Sequence, residues 1–331
     1  MIARGRWLRA RLQQLSGAWL FAAALTAVGV GFGTLSDPAP ARAESRRGGW
    51  RVLEADFHAH TRFSDGFLSP FDLVIQARRR GLDVLAVTEH NNVFPAKMAR
   101  AYAATIAGAP TILIGEEVTT KQFHVHGIGL DEKVHPLQPL RAIIGDIHRQ
   151  GGLAIAAHPV KSFWPSFLPV VAELDGAEVM HPIAYGGRGD PSWRWEQMRA
   201  FYLDARERRA PDRPLTAIGS SDYHFFSPLG LTRTLVFARS TSGVDVLDAL
   251  RAGRTVVYDL DGGAYGDALL IELLAREPYT IRTQDYGYRG EGPLDRITRA
   301  LGWLGLLGLF VVRRRRPTSN VTEPRAQETP R

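Results

Sequence analysis

Three pairs of residues separated by a single intervening residue carry groups that bind divalent metals: His58-Ala59-His60, His124-Val125-His126 and Asp222-Tyr223-His224. On a strand, residues two apart face the same way, so each pair sends both side chains into one space. Thr88-Glu89-His90, Glu116-Glu117 and His158 add further imidazoles and carboxylates. Most of these follow short apolar runs: Val52–Phe57, Leu82–Val87, Thr111–Ile114, Leu153–Ala157 and Leu215–Ile218. Such groups, gathered in one place, are costly to desolvate unless something positive lies between them. The chemistry they point to is hydrolysis by a metal-activated water, because a bound divalent cation pulls the pKa of water toward neutrality. The chain has no cysteine, which excludes a thiolate site, a cysteine nucleophile and a disulfide scaffold. Nitrogen and oxygen ligands suit Zn, Mn or Fe.

The five runs read as buried strands, and helical patterns lie between them. Pro70 to Arg78 is amphipathic, with Ser69 as N-cap, Pro70 at N1 and a close near Gly81. Pro136 to Arg149 is a second helix, stopped by Gly151-Gly152; Trp193 to Arg209 is a third, and Val244 to Arg251 a fourth, ending before Gly253. This alternation predicts βα units and a mainly parallel sheet. Side chains from the C-terminal ends of many parallel strands converge only at the mouth of a barrel-like α/β fold.

At 331 residues the chain holds one large α/β domain plus accessory segments, and its 45% hydrophobic and 23% charged content is that of an ordinary globular protein. The net charge is +7, with much of the excess at the ends: Arg4, Arg6, Arg9 and Arg11, and then Arg313 to Arg316. Basic residues beside apolar segments set membrane orientation more often than they bind nucleic acid. Residues 1–43 combine a basic start, an apolar stretch from about Ala18 to Phe32 and Ala41-Arg42-Ala43, the pattern of a secretory signal peptide; an uncleaved N-terminal anchor is the alternative. Residues 300–316 are expected to form a transmembrane anchor, apolar from Ala300 to Val312 with a basic stop-transfer end. Thirteen helical residues span roughly 20 Å against a hydrocarbon core of roughly 30 Å, so Arg296 and Arg299 would snorkel and the bilayer would thin. A buried core helix is the other reading. Residues 317–331 read as a disordered tail. The expected location is the extracytoplasmic, periplasmic face of the inner membrane.

His58-Ala59-His60-Thr61-Arg62-Phe63-Ser64-Asp65-Gly66 resembles the opening motif of the polymerase-and-histidinol-phosphatase (PHP) family. Thr88-Glu89-His90-Asn91 is similar to its second motif, and Gly115-Glu116-Glu117-Val118-Thr119 with His126-Gly127-Ile128-Gly129-Leu130 to its third. Ala156-Ala157-His158-Pro159 and Gly219-Ser220-Ser221-Asp222-Tyr223-His224 resemble the last two, and the likeness runs from about Asp56 to Tyr258. The resemblance implies a distorted, TIM-like (β/α)7 barrel over residues 50–295, with three divalent metals at its mouth. Carried over, the implied ligands are His58, His60, Asp65, His90, Glu117, His126, His158, Asp222 and His224. Glu116 competes with Glu117, and His124 with His126, since strand register decides which side chains face inward.

The implied reaction is hydrolysis of a phosphate ester, in which clustered cations neutralise phosphate oxygens. Small nucleotides and sugar phosphates are the expected substrates. Oligonucleotide ends are less favoured, because no nucleic-acid module is added and the basic clusters are topological. Three alternatives stand beside this: a phosphotyrosine phosphatase of an exopolysaccharide system, an amidohydrolase-like enzyme and a non-catalytic metal-binding scaffold. Glu89 is expected to support His90 or cap its strand. Arg62, Lys121, Lys161, His135, His148 and His181 are read as rim or surface residues. Trp164, Trp193 and Trp195 belong either to a pocket for an aromatic leaving group or to the core.

Overall fold

The structure, a computed structural model, describes residues 17–29, 43–185, 192–210, 212–224, 228–281 and 293–314. Its strands are β1 (Arg46–Arg47), β2 (Trp50–Asp56), β3 (Val84–Val87), β4 (Thr111–Thr119), β5 (His124–Ile128), β6 (Leu153–Ala156), β7 (Gly176–Met180), β8 (Thr216–Gly219), β9 (Thr234–Ala238), β10 (Thr255–Tyr258) and β11 (Ala264–Gly266). The helices are α1 (17–29), α2 (Pro70–Arg79), α3 (Phe94–Ala103), α4 (Leu140–Arg149), α5 (Trp164–Phe167), α6 (Trp195–Glu207), α7 (Gly243–Arg251), α8 (Ala268–Arg276) and α9 (Pro293–Arg314). Local chemistry sets several of these limits. Ser69 caps α2 by accepting the Asp72 N–H, and Gly81 takes a positive φ of 69° just beyond its end. Ser242 caps α7 in the same way through the Asp245 N–H. Helix α4 starts at Leu140 rather than Pro136, because the residue before a proline is held out of the α region and Pro139 itself is extended, at ψ 145°. Helix α6 is likewise shorter at both ends than the Trp193–Arg209 pattern.

The strands run in the order β11-β10-β9-β2-β3-β4-β5-β6-β7-β8, with β1 beside β2. The sheet curls until its far parts nearly meet: the Gly219 N–H donates to Thr234 Oγ1, and Ala59 forms a parallel bridge with Tyr223. The expected mainly parallel sheet holds within two blocks, β2-β3-β4 and β6-β7-β8. Between them β5 runs antiparallel to both neighbours, and β9, β10 and β11 add antiparallel pairs at the other end. The reason is length. Thr120–Phe123 is too short for a parallel crossover, which needs about a dozen residues, so β4 and β5 form a hairpin.

Alternate strand residues pack on opposite faces. Val84 and Ala86 join Leu53, Ala55, Phe57, Ile155 and Ile218 in one buried cluster, to which α7 adds Val246, Ala249 and Leu250. Leu85 and Val87 join the larger cluster formed with α2, α3, α4 and α6. At this scale each buried Leu, Ile or Phe contributes about 1.5–3 kcal/mol.

The chain divides into two compact units, Ala39–Tyr288 and a second formed from Met1–Pro38 with Arg289–Arg331. The first contains the barrel. In the second, α9 contains the apolar stretch Ala300–Val312. Among the described residues no helix is long and apolar enough to cross a membrane. The expectations for Arg4, Arg6, Arg9, Arg11, the spacer before Ala43, Arg315, Arg316 and the tail 317–331 fall outside the described residues.

Candidate metal centre

Each strand of the two parallel blocks, and β5 between them, delivers polar side chains to one place. His58 and His60 follow β2; Glu89 and His90 follow β3; Glu117 lies on β4 opposite His126 on β5; His158 follows β6; and Asp222 and His224 follow β8. Asp65 arrives on the loop after His60. That loop folds so tightly that a Cβ on Gly66 would lie 2.5 Å from the His60 carbonyl. Three non-glycine residues have positive φ, namely Asn91 (49°), His158 (24°) and Asp222 (41°), and all three fall just after strand ends at this mouth. Such strain persists where the surroundings over-determine it. Asp56 supplies one restraint by accepting the Ser221 N–H at 3.0 Å, the Ser221 hydroxyl at 2.5 Å and the Gly230 N–H at 2.8 Å, which fixes the turn before Asp222.

All nine side chains implied by the motifs join one contact network. His58 Nε2 lies 2.9 Å from both His60 Nε2 and Asp222 Oδ1. Glu117 is the hub. Its oxygens lie 2.7 Å from His90 Nδ1, 2.9 Å from His124 Nδ1, 3.0 Å from His158 Nε2 and 3.5 Å from His60 Nε2. His126 Nε2 is 3.1 Å from His58 Nδ1. Asp65 meets His224 at 3.2 Å and His90 at 3.4 Å. Strand alternation separates the two adjacent acids. Glu117 faces the cage, while Glu116 accepts the Val134 N–H at 2.7 Å, and burial there pushes its pKa up to about 7. Both histidines of the His124/His126 pair reach the cage, His124 through Glu117 and His126 through His58.

The electrostatics call for positive charge. Burial opposes ionisation of Glu117 and Asp222, yet the surrounding histidines outweigh it and hold both well below the ordinary carboxylate range. Burial also opposes charge on His58, but Asp222, Glu178 and Glu117 hold its pKa well above the usual value; His60 is raised to about 9 against the same burial, by Asp222, Glu89 and Glu117. His126 moves the other way, to about 4, through burial and then the charge of His58.

The donor set fits divalent cations. Where two imidazole nitrogens face each other at 2.9 Å, only one can carry the proton between them. His126 Nδ1 and His158 Nδ1 are sealed from solvent with no hydrogen-bond partner, as are Glu117 Oε2 and Asp222 Oδ1 by hydrogen-bond geometry. Four groups could each hold an ion: His60/Asp65/His90/His224, His58/His60/Asp222, His58/Glu117/His158 and His58/His126/Glu178.

Some residues play parts the sequence did not suggest. Glu89 serves the His60 side, accepting the Thr61 N–H at 3.0 Å and lying 3.6 Å from His60 Nδ1, rather than orienting His90. His181, read as a rim residue, is buried and bonds Asp222 Oδ2 through Nε2 at 2.9 Å. Glu178 is wholly buried beside His58 and was not singled out at all; its only sequence signal was an acid inside an otherwise apolar strand. His135 and His148 are exposed, His148 pairing with Asp175 at 2.8 Å. Trp164 and Trp195 pack against the core, whereas the half-buried Trp193 also packs on the His158 ring at 4.9 Å between centroids.

A barrel-like α/β sheet with a cage of imidazoles and carboxylates at its mouth defines the class. Residues 56–167 match the PHP domain, which bears out the motif resemblance over that segment. An uncharacterized protein of Methanocaldococcus jannaschii is 27% identical over 146 residues, which are 39% of this chain and 82% of that protein. A 5'-3' exoribonuclease of Haemophilus influenzae is 34% identical over 85 residues, 24% of this chain and only 30% of that enzyme. The fold resembles that of a two-domain protein of Bacteroides vulgatus described as containing a predicted PHP-like metal-dependent phosphoesterase, with a TM-score of 0.58, 23% identity, and coverage of 72% of this chain and 74% of that one.

Proposed function

We propose that the protein is a metal-dependent phosphoesterase acting on small phosphorylated molecules, with nucleotides or sugar phosphates as the substrate class. The carrying observation is the single network joining His58, His60, Asp65, His90, Glu117, His126, His158, Asp222 and His224, residues distant in the chain. These nine are proposed to hold the cations, up to three of them, of Mn, Zn or Fe. When bound, such cations lower the pKa of water and neutralise charge on a phosphate ester. Glu117 would hold the cations through either oxygen, since both face histidines. His181 would keep Asp222 oriented through its Nε2. His58, His60, Glu117 and His126 are wholly buried, whereas Asp65, His90 and His224 are partly open, so substrate would approach on the Asp65 side. The similarity to part of an exoribonuclease supports nucleotides within that class.

Metal-loaded protein is expected to hydrolyse an aryl phosphate monoester, a phosphodiester or a short 5'-phosphorylated oligoribonucleotide, and the ratio of kcat/KM among them identifies the substrate. Turnover of amides alone would contradict the proposal.

We further propose export and membrane tethering through the unit built from the chain ends. Support comes from how α1 and α9 pack within it. A Cβ on Gly302, Gly305 or Gly308 would meet Gly29, Thr26 with Ala22, and Ala22 respectively at 3.3 Å or less, an antiparallel register. Small residues thus form the seam, while Trp19, Leu20, Phe21, Leu304, Leu307 and Phe310 face outward. That inside-out distribution suits lipid rather than water. Carbonate washing is expected to leave the full chain in the membrane pellet. Release into the supernatant, or a reporter fused at Ser240 that signals from the cytoplasm, would overturn this.

A further inference from the structure

Resting on the metal-centre reading, we propose that Glu178 is a positioning residue that fixes His58 and His158 at once and selects which ring nitrogen His58 presents to a cation. Glu178 Oε1 lies 3.0 Å from His58 Nδ1 and 3.5 Å from His126 Nε2. The same oxygen accepts the Ser220 hydroxyl, and Oε2 accepts the His158 N–H at 2.5 Å. The side chain has no solvent exposure. A buried carboxylate persists only among donors, so His58, the nearer imidazole, turns its Nδ1–H toward it. The tautomer of His58 follows: it keeps its proton on Nδ1 and offers Nε2, which points at Asp222 and His60. His126 Nε2 faces that same N–H at 3.1 Å and accepts rather than donates, so its place in the cage is set through His58. The bond to the His158 N–H meanwhile holds that residue in its strained backbone conformation, with φ at 24°. Carboxylates that orient metal-bound histidines in this way are worth about 10–100-fold in metal affinity.

The test compares the full-length wild type with Glu178→Gln and Glu178→Asp, each loaded with Co2+. The glutamine amide keeps the size but loses one acceptor oxygen and the charge. The expected result is affinity about 10–100-fold weaker in Glu178→Gln by chelator competition, a changed visible Co2+ spectrum, and partial recovery of both in Glu178→Asp. A structural role alone would lower the melting temperature of the metal-free protein and leave the Co2+ spectrum unchanged. Wild-type affinity and spectrum in Glu178→Gln would overturn the proposal, as would a crystal structure with Glu178 itself coordinating the ion. If wild type binds no Co2+, the metal reading fails and this one with it; a failure confined to the variants is specific to Glu178. Should Glu178→Gln not fold, Ser220→Ala, which frees the carboxylate from one donor, is expected to weaken binding in the same direction by a smaller factor. Wild-type affinity there would count against the proposal.

Discussion

His58→Ala is expected to lower phosphoester hydrolysis by more than about a hundredfold and to cut the metal content of the purified protein. Loss of an outer partner of a ligand alone costs about 10–100-fold, and His58 lies deeper than that. It belongs to three of the four groups able to hold an ion, and its two nitrogens contact Asp222, His60, His126 and Glu178. Its removal opens the middle of the cage and leaves Glu117, Glu178 and Asp222 buried with less compensating charge. Activity and elemental analysis on the same preparation check this together. A variant that keeps more than about a tenth of wild-type activity with full metal content would place the chemistry elsewhere.

Chelation is expected to lower the melting temperature by on the order of 10 °C. A ligand that binds only the folded state at about a thousand times its Kd contributes about 4 kcal/mol, and about 1 kcal/mol moves the midpoint of a chain this size by roughly 2–4 °C. The pH dependence follows from His60, whose metal-free pKa is raised to about 9. Its ordinary value is about 6.5, so the stabilisation from its protonation is fully present below that pH and is lost as pH rises through about 9. Cations compete with that proton. Loading at pH 7 should therefore release protons, and apparent affinity should climb from pH 7 to about 9. Thermal melts with and without chelator, and proton release in weak buffer, measure both. A melting temperature indifferent to chelation would show that no cation holds the cage together.

Much of this architecture was legible because local chemistry and tertiary packing agree. Ser69, Pro70 and Gly81 mark α2 in sequence, and each does in the fold what its type suggests. The nine motif residues converge for the same reason, since strand ends gather at one mouth. Legibility failed where partner choice decides the structure. The apolar run Thr111–Ile114 stops at Gly115-Glu116-Glu117, yet β4 continues to Thr119 because β5 folds back on it. Burying two adjacent acids in that hairpin, one inward and one against the Val134 N–H, is a tertiary event. Glu178 was hidden for a related reason: an acid within an apolar strand carries no pattern of its own, and only the fold brings His58, His126, His158 and Ser220 around it.

The direct test of the shared cage is anomalous diffraction from crystals of the metal-loaded full-length protein. More than one cation per chain is expected, held among Glu117, His58, His60, Asp222 and His158. A single cation, none, or cations bound away from these side chains would contradict the account.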